Sequence, residues 1–254
     1  MCSSDLKGGL WGAAGASFYD VFPHNVLVGL FAPVFLFAVV ALLLGVARFW
    51  REVTPATSGA PASSPAVAEA AHDALKLRYL DGGHGDGCND EDDAVSHVRR
   101  RCHHLAFYGF LLCFAATSVA TLYHYVLGWT APYDLPSLPK LLGVAGGLLL
   151  AAGTLGLWRL NRRRHPLQGD PAQKPMDLGF IALLFVTSVS GLALWLARGT
   201  PAMTLLLCLH LGAVMALFAT LPYGKFAHGF YRVAALLRHA VERRQPNTLG
   251  LGSD

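Results

Sequence analysis

Eleven histidines occur in 254 residues, and five of them, His103, His104, His124, His210 and His228, lie in or beside long apolar runs. An ionisable group in such a run is expensive to bury and marks a functional site by default. Neutral imidazole is also a ligand for haem iron. His210 and His228 are 18 residues apart, five full helical turns, so on one straight helix they share a face about 27 Å apart. His103 and His124 are 21 apart, within about 60° of one face and about 31 Å apart along the axis. If the two helices run antiparallel, the inner histidine of one meets the inner histidine of the other, and the outer two meet likewise. That is the geometry for one or two b-type haems stacked across a membrane, each held from two helices. Ala116, Ala120, Gly212, Ala213 and Ala216 are small enough to leave room for porphyrin. His104 competes with His103 for the inner position. His24, at the outer edge of the first run, reads as a headgroup contact.

The elements that must position these residues are membrane helices. The chain is 54% hydrophobic and only 14% charged, against about 25% charged in soluble domains, and its mean hydropathy is +0.42. The charges collect in short stretches, leaving apolar runs of the roughly 20 residues that cross a bilayer. Five spans are expected, at 24–47, 103–128, 138–157, 176–197 and 202–221. The fold class is therefore all-α, an integral membrane bundle of about five transmembrane helices. Its expected divisions are a short segment 1–23, a first transmembrane helix 24–50, a cytoplasmic linker 51–101, a four-helix haem-binding region with a basic tail 102–244, and a disordered end 245–254. The net charge of +4 comes from basic residues beside the spans, a signature of topology and not of nucleic-acid binding. Arginines cluster at the linker, the 159–164 connection and the C-terminal tail, which puts these on the cytoplasmic side. The five cysteines (Cys2, Cys88, Cys102, Cys113, Cys208) are scattered and form no C-x-x-C pair, so an iron–sulfur cluster ligated within this chain is not expected. The linker tract around His84, Asp86, Cys88 and Asp90 reads as a solvated, glycine-rich acidic loop.

Several stretches then point one way. They are Phe22-Pro-His-Asn25, Lys76-Leu-Arg-Tyr-Leu-Asp-Gly-Gly83, Gly87-Cys-Asn89, His103-His-Leu-Ala-Phe-Tyr-Gly-Phe110, Thr121-Leu-Tyr-His-Tyr125, Asp170-Pro-Ala-Gln173 and Leu221-Pro-Tyr-Gly-Lys-Phe-Ala-His-Gly229. Together they resemble the tricarballylate-utilisation protein B family, also called the CitB type, over nearly the whole chain after about Phe18. The run from His210 to His228 is more distantly similar to the last span of dihaem cytochromes b of the nitrate reductase gamma-subunit kind, where two histidines at this spacing bind different haems. The resemblance implies a subunit of the bacterial inner membrane, C-terminus in the cytoplasm. It would pass electrons from a flavoprotein tricarballylate dehydrogenase, through iron–sulfur clusters and haem b, to quinone. The family's N-terminal cluster-binding domain and the span after it have no counterpart in this sequence, so 1–23 is expected to be a truncation junction. The gamma-subunit pattern also has two histidines ten residues apart on its other ligand helix. Here Cys113 and Phe114 stand at that distance from His103 and His104, so His124 must serve or the second haem is missing. Tyr223, Lys225 and Arg232 are within reach of an inner quinone pocket. The rival readings are a transporter subunit with histidines as proton relays, and a haem-free anchor for the dehydrogenase.

Overall fold

The computed structural model describes residues 18–54, 61–80, 88–89, 95–163 and 170–245. Most of the acidic linker tract, the far N-terminus and the end after 245 lie outside these residues. Within them eight helices follow in order: α1 Phe18–Val21, α2 His24–Val53, α3 Ser64–Leu75, α4 Val98–Leu127, α5 Leu138–Arg163, α6 Lys174–Leu196, α7 Met203–Thr220 and α8 Ala227–Glu242. Three-residue 3-10 turns at Arg78–Leu80 and Pro171–Gln173 precede α4 and α6. Among the described residues the only strands are β1 Cys88–Asn89 and β2 Val95–Ser96, an antiparallel ladder two residues long. The class is all-α.

Five helices, α2, α4, α5, the Pro171–Leu196 segment containing α6, and α7, are long and apolar enough to cross a membrane. Their outward faces are apolar: Leu36, Leu43, Leu122, Val126 and Leu196 are all more than half exposed. A surface of that kind belongs in hydrocarbon, where helices satisfy their own backbone groups. The chain is a multi-pass membrane protein. The helices run past the apolar stretches that define them. α2 continues through Arg48 and Arg51 to Val53, and α4 starts at Val98 and so includes Arg99, Arg100 and Arg101. Arginine is a good helix former and keeps its charge at the interface while its stem stays on the helix.

Packing follows the order α4–α5–α6–α7–α2, with α8 set against α2 and α3. The α4–α5 contact is the most extensive, and glycine makes it so. A Cβ on Gly146 would lie 2.8 Å from the Cys113 amide nitrogen, and one on Gly153 would lie 2.8 Å from the Cys102 carbonyl oxygen. The two backbones therefore touch directly, as small residues allow between membrane helices. By contrast, α4 shares no extensive interface with α7 or α2. Aromatic and imidazole rings connect α4 to α2 at one end and to α8 at the other.

Two helix ends have visible causes. α3 ends at Leu75, ahead of Leu77, whose positive φ of 46° an α-helix cannot continue through. And α7 does not run straight into the tail. It stops at Thr220, and the chain turns through Pro222 and Gly224 before α8 begins. Proline has no amide hydrogen to donate to the helical ladder, and the turn is closed by Gly224 N–H donating to the Thr220 carbonyl at 2.8 Å.

Candidate functional site

At one end of the bundle α4 and α8 bring His103 and His228 together. Their ring centres are 6.4 Å apart, with planes at 80°. The turn before α8 aims His228. Leu221 and Ala227 pack on Leu42 of α2 with Phe218, Phe226 and Tyr231 around them, and Phe226 meets Phe110 of α4 at 4.8 Å between ring centres. Lys225 in the same turn is tied to Asp177 of α6 by a 3.0 Å ion pair. The Lys225 carbonyl accepts a hydrogen bond from His228 Nδ1. With that proton on Nδ1, Nε2 is left as the acceptor or metal-binding nitrogen. His103 Nδ1, like His124 Nδ1, is shut off from solvent with no hydrogen-bond partner among the described residues.

The separation of the two rings is of the size that two imidazoles on one haem iron would need. Two imidazoles on one metal place their ring centres roughly 6 Å apart, since each metal–nitrogen bond is about 2 Å and the nitrogen sits about 1 Å from its ring centre. The observed 6.4 Å agrees. His104, one residue on, faces elsewhere. Its Nδ1 is 3.0 Å from the Arg100 carbonyl, and its ring stacks on Tyr108. Arg232 lies within electrostatic range of His103, whereas Tyr223 is 73% exposed and turned away.

The other end is built differently. His124 meets His24, with ring centres 4.2 Å apart and planes at 24°. His24 Nε2 is 3.1 Å from the Tyr125 hydroxyl, and Tyr19 lies beside both imidazoles. Rings stacked this closely leave no space for a metal between them. His210 is not part of the pair. Its Nδ1 is 3.1 Å from Ser190 Oγ of α6, and its ring lies on Gly191, where a Cβ would sit 3.0 Å from Cε1. The expected outer pairing of His124 with His210 is thus replaced by His124 with His24 and His210 with Ser190. α4 is continuous from His103 to His124, so the two ends stay about 31 Å apart.

Of the small residues expected to leave space, Gly212 and Ala216 are exposed on α7, and a Cβ on Gly212 would meet nothing within 4 Å. Ala116 instead packs toward Gly143 of α5, and Ala213 is buried. Cys102 and Cys113 also face the α4–α5 contact. Among the described residues no group of three or more His, Cys, Asp and Glu is placed to hold a metal ion, and the linker tract with His84 and Asp86 lies outside them.

Sequence reasoning missed Ser190, Asp177 and the Tyr19–Tyr125 pair. Ser190 carried a signal, a polar residue inside an apolar span. The tyrosines carried none.

Outside the spans, α3 and α8 are clamped together at the His103–His228 end. Ala66 packs with Ala240, Val241 and Leu237, and Glu69 pairs with Arg243 at 2.9 Å and Arg244 at 2.6 Å. The hydrogen bond from Arg244, reinforced by both positive charges, holds the Glu69 carboxyl below its ordinary value.

The family model described as citrate utilization protein B matches residues 10–248. Citrate utilization protein B of Escherichia coli is 54% identical over 255 residues, which takes in 100% of this chain and 66% of that relative. The chain thus spans slightly less than two thirds of the relative's length. No solved structure matches it. With a family match across nearly its whole length and a relative of this identity, the chain belongs to the citrate utilization protein B family.

Proposed function

We propose that the chain is a membrane electron carrier serving citrate or tricarballylate utilisation, with a b-type haem held between His103 of α4 and His228 of α8. Bound there, the haem supplies one-electron transfer at a fixed depth in the membrane. The spacing of the two rings, 6.4 Å, supports this reading above all. The protein's part is to orient both imidazoles. The Lys225 carbonyl fixes the His228 tautomer, and the Asp177–Lys225 ion pair fixes the turn. Phe110, Phe226 and Phe180 pack apolar rings around that turn.

The electron donor would be a flavoprotein dehydrogenase acting through iron–sulfur clusters carried outside this chain, and the acceptor the membrane quinone. Arg232 at the inner end suits a polar quinone headgroup. This reading puts α8 and the linker on the cytoplasmic face of a bacterial inner membrane, in keeping with the arginines at that end. The stacked His24 and His124 do not fit a second iron, so one haem is proposed.

The test is reoxidation. Purified chain reconstituted in liposomes with haem, reduced under anaerobic conditions, should reoxidise when a quinone analogue is added, and the Arg232→Gln variant should do so more slowly. Haem that binds but stays reduced would remove the quinone step. Absence of bound haem would favour the anchor reading.

A further inference from the structure

The inner end of the α4–α5 pair holds a second feature, which the histidines do not use. A cavity of about 430 Å³ opens there, lined by Val98, Cys102, Gly156, Arg159, Leu160 and Arg163. Its walls are the first turns of α4 and the last turns of α5, where two apolar spans reach the interface. Gly156 lies against Cys102 Sγ in its wall, with no room for a Cβ between them. Two guanidinium groups, those of Arg159 and Arg163, line it. The first turn of α4 has no acidic residue, and the last turn of α5 carries Arg162 beside Arg163. Arginines here would in any case complement the carboxyl end of α5, but that role needs no groove with apolar walls.

We propose that this cavity binds the headgroup phosphate of an anionic glycerophospholipid. Arg159 and Arg163 engage the phosphate in the paired geometry guanidinium groups favour. The acyl chains run from Val98, Leu160 and the Gly156 groove into the hydrocarbon. Basic clefts between spanning helices match anionic headgroups in charge and in depth. The site is independent of the haem.

The test uses the chain as described, purified in a neutral detergent and titrated in native mass spectrometry with phosphatidylglycerol, phosphatidylcholine and inorganic phosphate. Phosphatidylglycerol should bind at about tenfold lower concentration than phosphatidylcholine. The Arg159→Gln/Arg163→Gln variant should lose that preference, while Arg48→Gln/Arg51→Gln at the end of α2 should keep it. Leu160→Trp, which fills the groove and leaves the charge unchanged, should weaken phosphatidylglycerol binding as well. Equal affinity for the two lipids, or equal loss in both arginine variants, would overturn the site in favour of diffuse surface charge. Displacement of the lipid by millimolar inorganic phosphate would make it a soluble-anion site. Circular dichroism on each variant establishes that the helices are intact.

Discussion

One substitution made at two positions should give opposite results, because the α4–α5 contact is between backbones. Gly29 of α2 has nothing within 4 Å of where a Cβ would stand, whereas a Cβ on Gly153 of α5 would lie 2.8 Å from the Cys102 carbonyl oxygen and 2.9 Å from Ala106 Cα. Both residues are mid-helix. Replacing glycine by alanine on an exposed helical face gains about 0.5–1 kcal/mol from backbone entropy. Gly29→Ala should therefore match or slightly exceed the parent in stability. At Gly153 the atoms in the way are backbone, which cannot rotate aside. Normal carbon contacts begin near 3.5 Å, so α4 must withdraw by more than about half an ångström. A gap of that size forfeits about a quarter to a half of the dispersion energy at each contact it opens. With overpacking in a well-packed interior, the net loss should be about 2–3 kcal/mol. Thermal unfolding in detergent, followed by tryptophan fluorescence, reads both variants against the parent. Because α4 carries His103, Gly153→Ala should also lower haem occupancy. A Gly153→Ala protein as stable as Gly29→Ala would refute the direct backbone contact.

The clamp between α3 and α8 should depend on pH. The folded Glu69 carboxyl lies below its ordinary value of 4.5, so its contribution is present above that value and lost as pH falls through the lower folded one. Protection factors along α8, taken relative to the intrinsic exchange rate at each pH, should fall on acidification, and Glu69→Gln should show the lower protection already at neutral pH. Ser190 is 4% exposed and hydrogen-bonds His210. Ser190→Ala should cost about 1 kcal/mol in unfolding and leave haem content unchanged. Asp177→Asn breaks the ion pair that steadies the Lys225 turn. The predicted outcome is a small stability loss, under about 1 kcal/mol, with a shift in the spectrum or potential of the haem beside His228.

The spans could be read in the sequence because an unbroken apolar run of about 20 residues has almost no stable setting besides a bilayer. Their ends could not. Arg48, Arg51 and Arg99 to Arg101 interrupt the apolar pattern but not the hydrogen-bond ladder, so α2 and α4 run on through them. The turn after Thr220 was written in Pro222 and Gly224, the residues that break helices and close turns. Spacing along an imagined straight helix hid it. His103 and His228 were both legible as candidates, and the phase of α4 separates His103 from its neighbour His104. The outer end was the least legible. Whether His124 faces His210 or His24 depends on how α1 and α2 pack beside α4, a contact between residues about 100 positions apart that no local pattern encodes. Ser190 could have been flagged as polar in an apolar span, but only the packing of α6 on α7 pairs it with His210.

The most direct test of a haem between His103 and His228 is the reduced-minus-oxidised visible spectrum of the purified chain, produced with haem available, beside His103→Ala, His228→Ala and His104→Ala. The account predicts a b-type α-band in the parent, retained in His104→Ala and lost in each of the other two. A folded parent protein without that band, or one whose band survives both His103→Ala and His228→Ala, would contradict it.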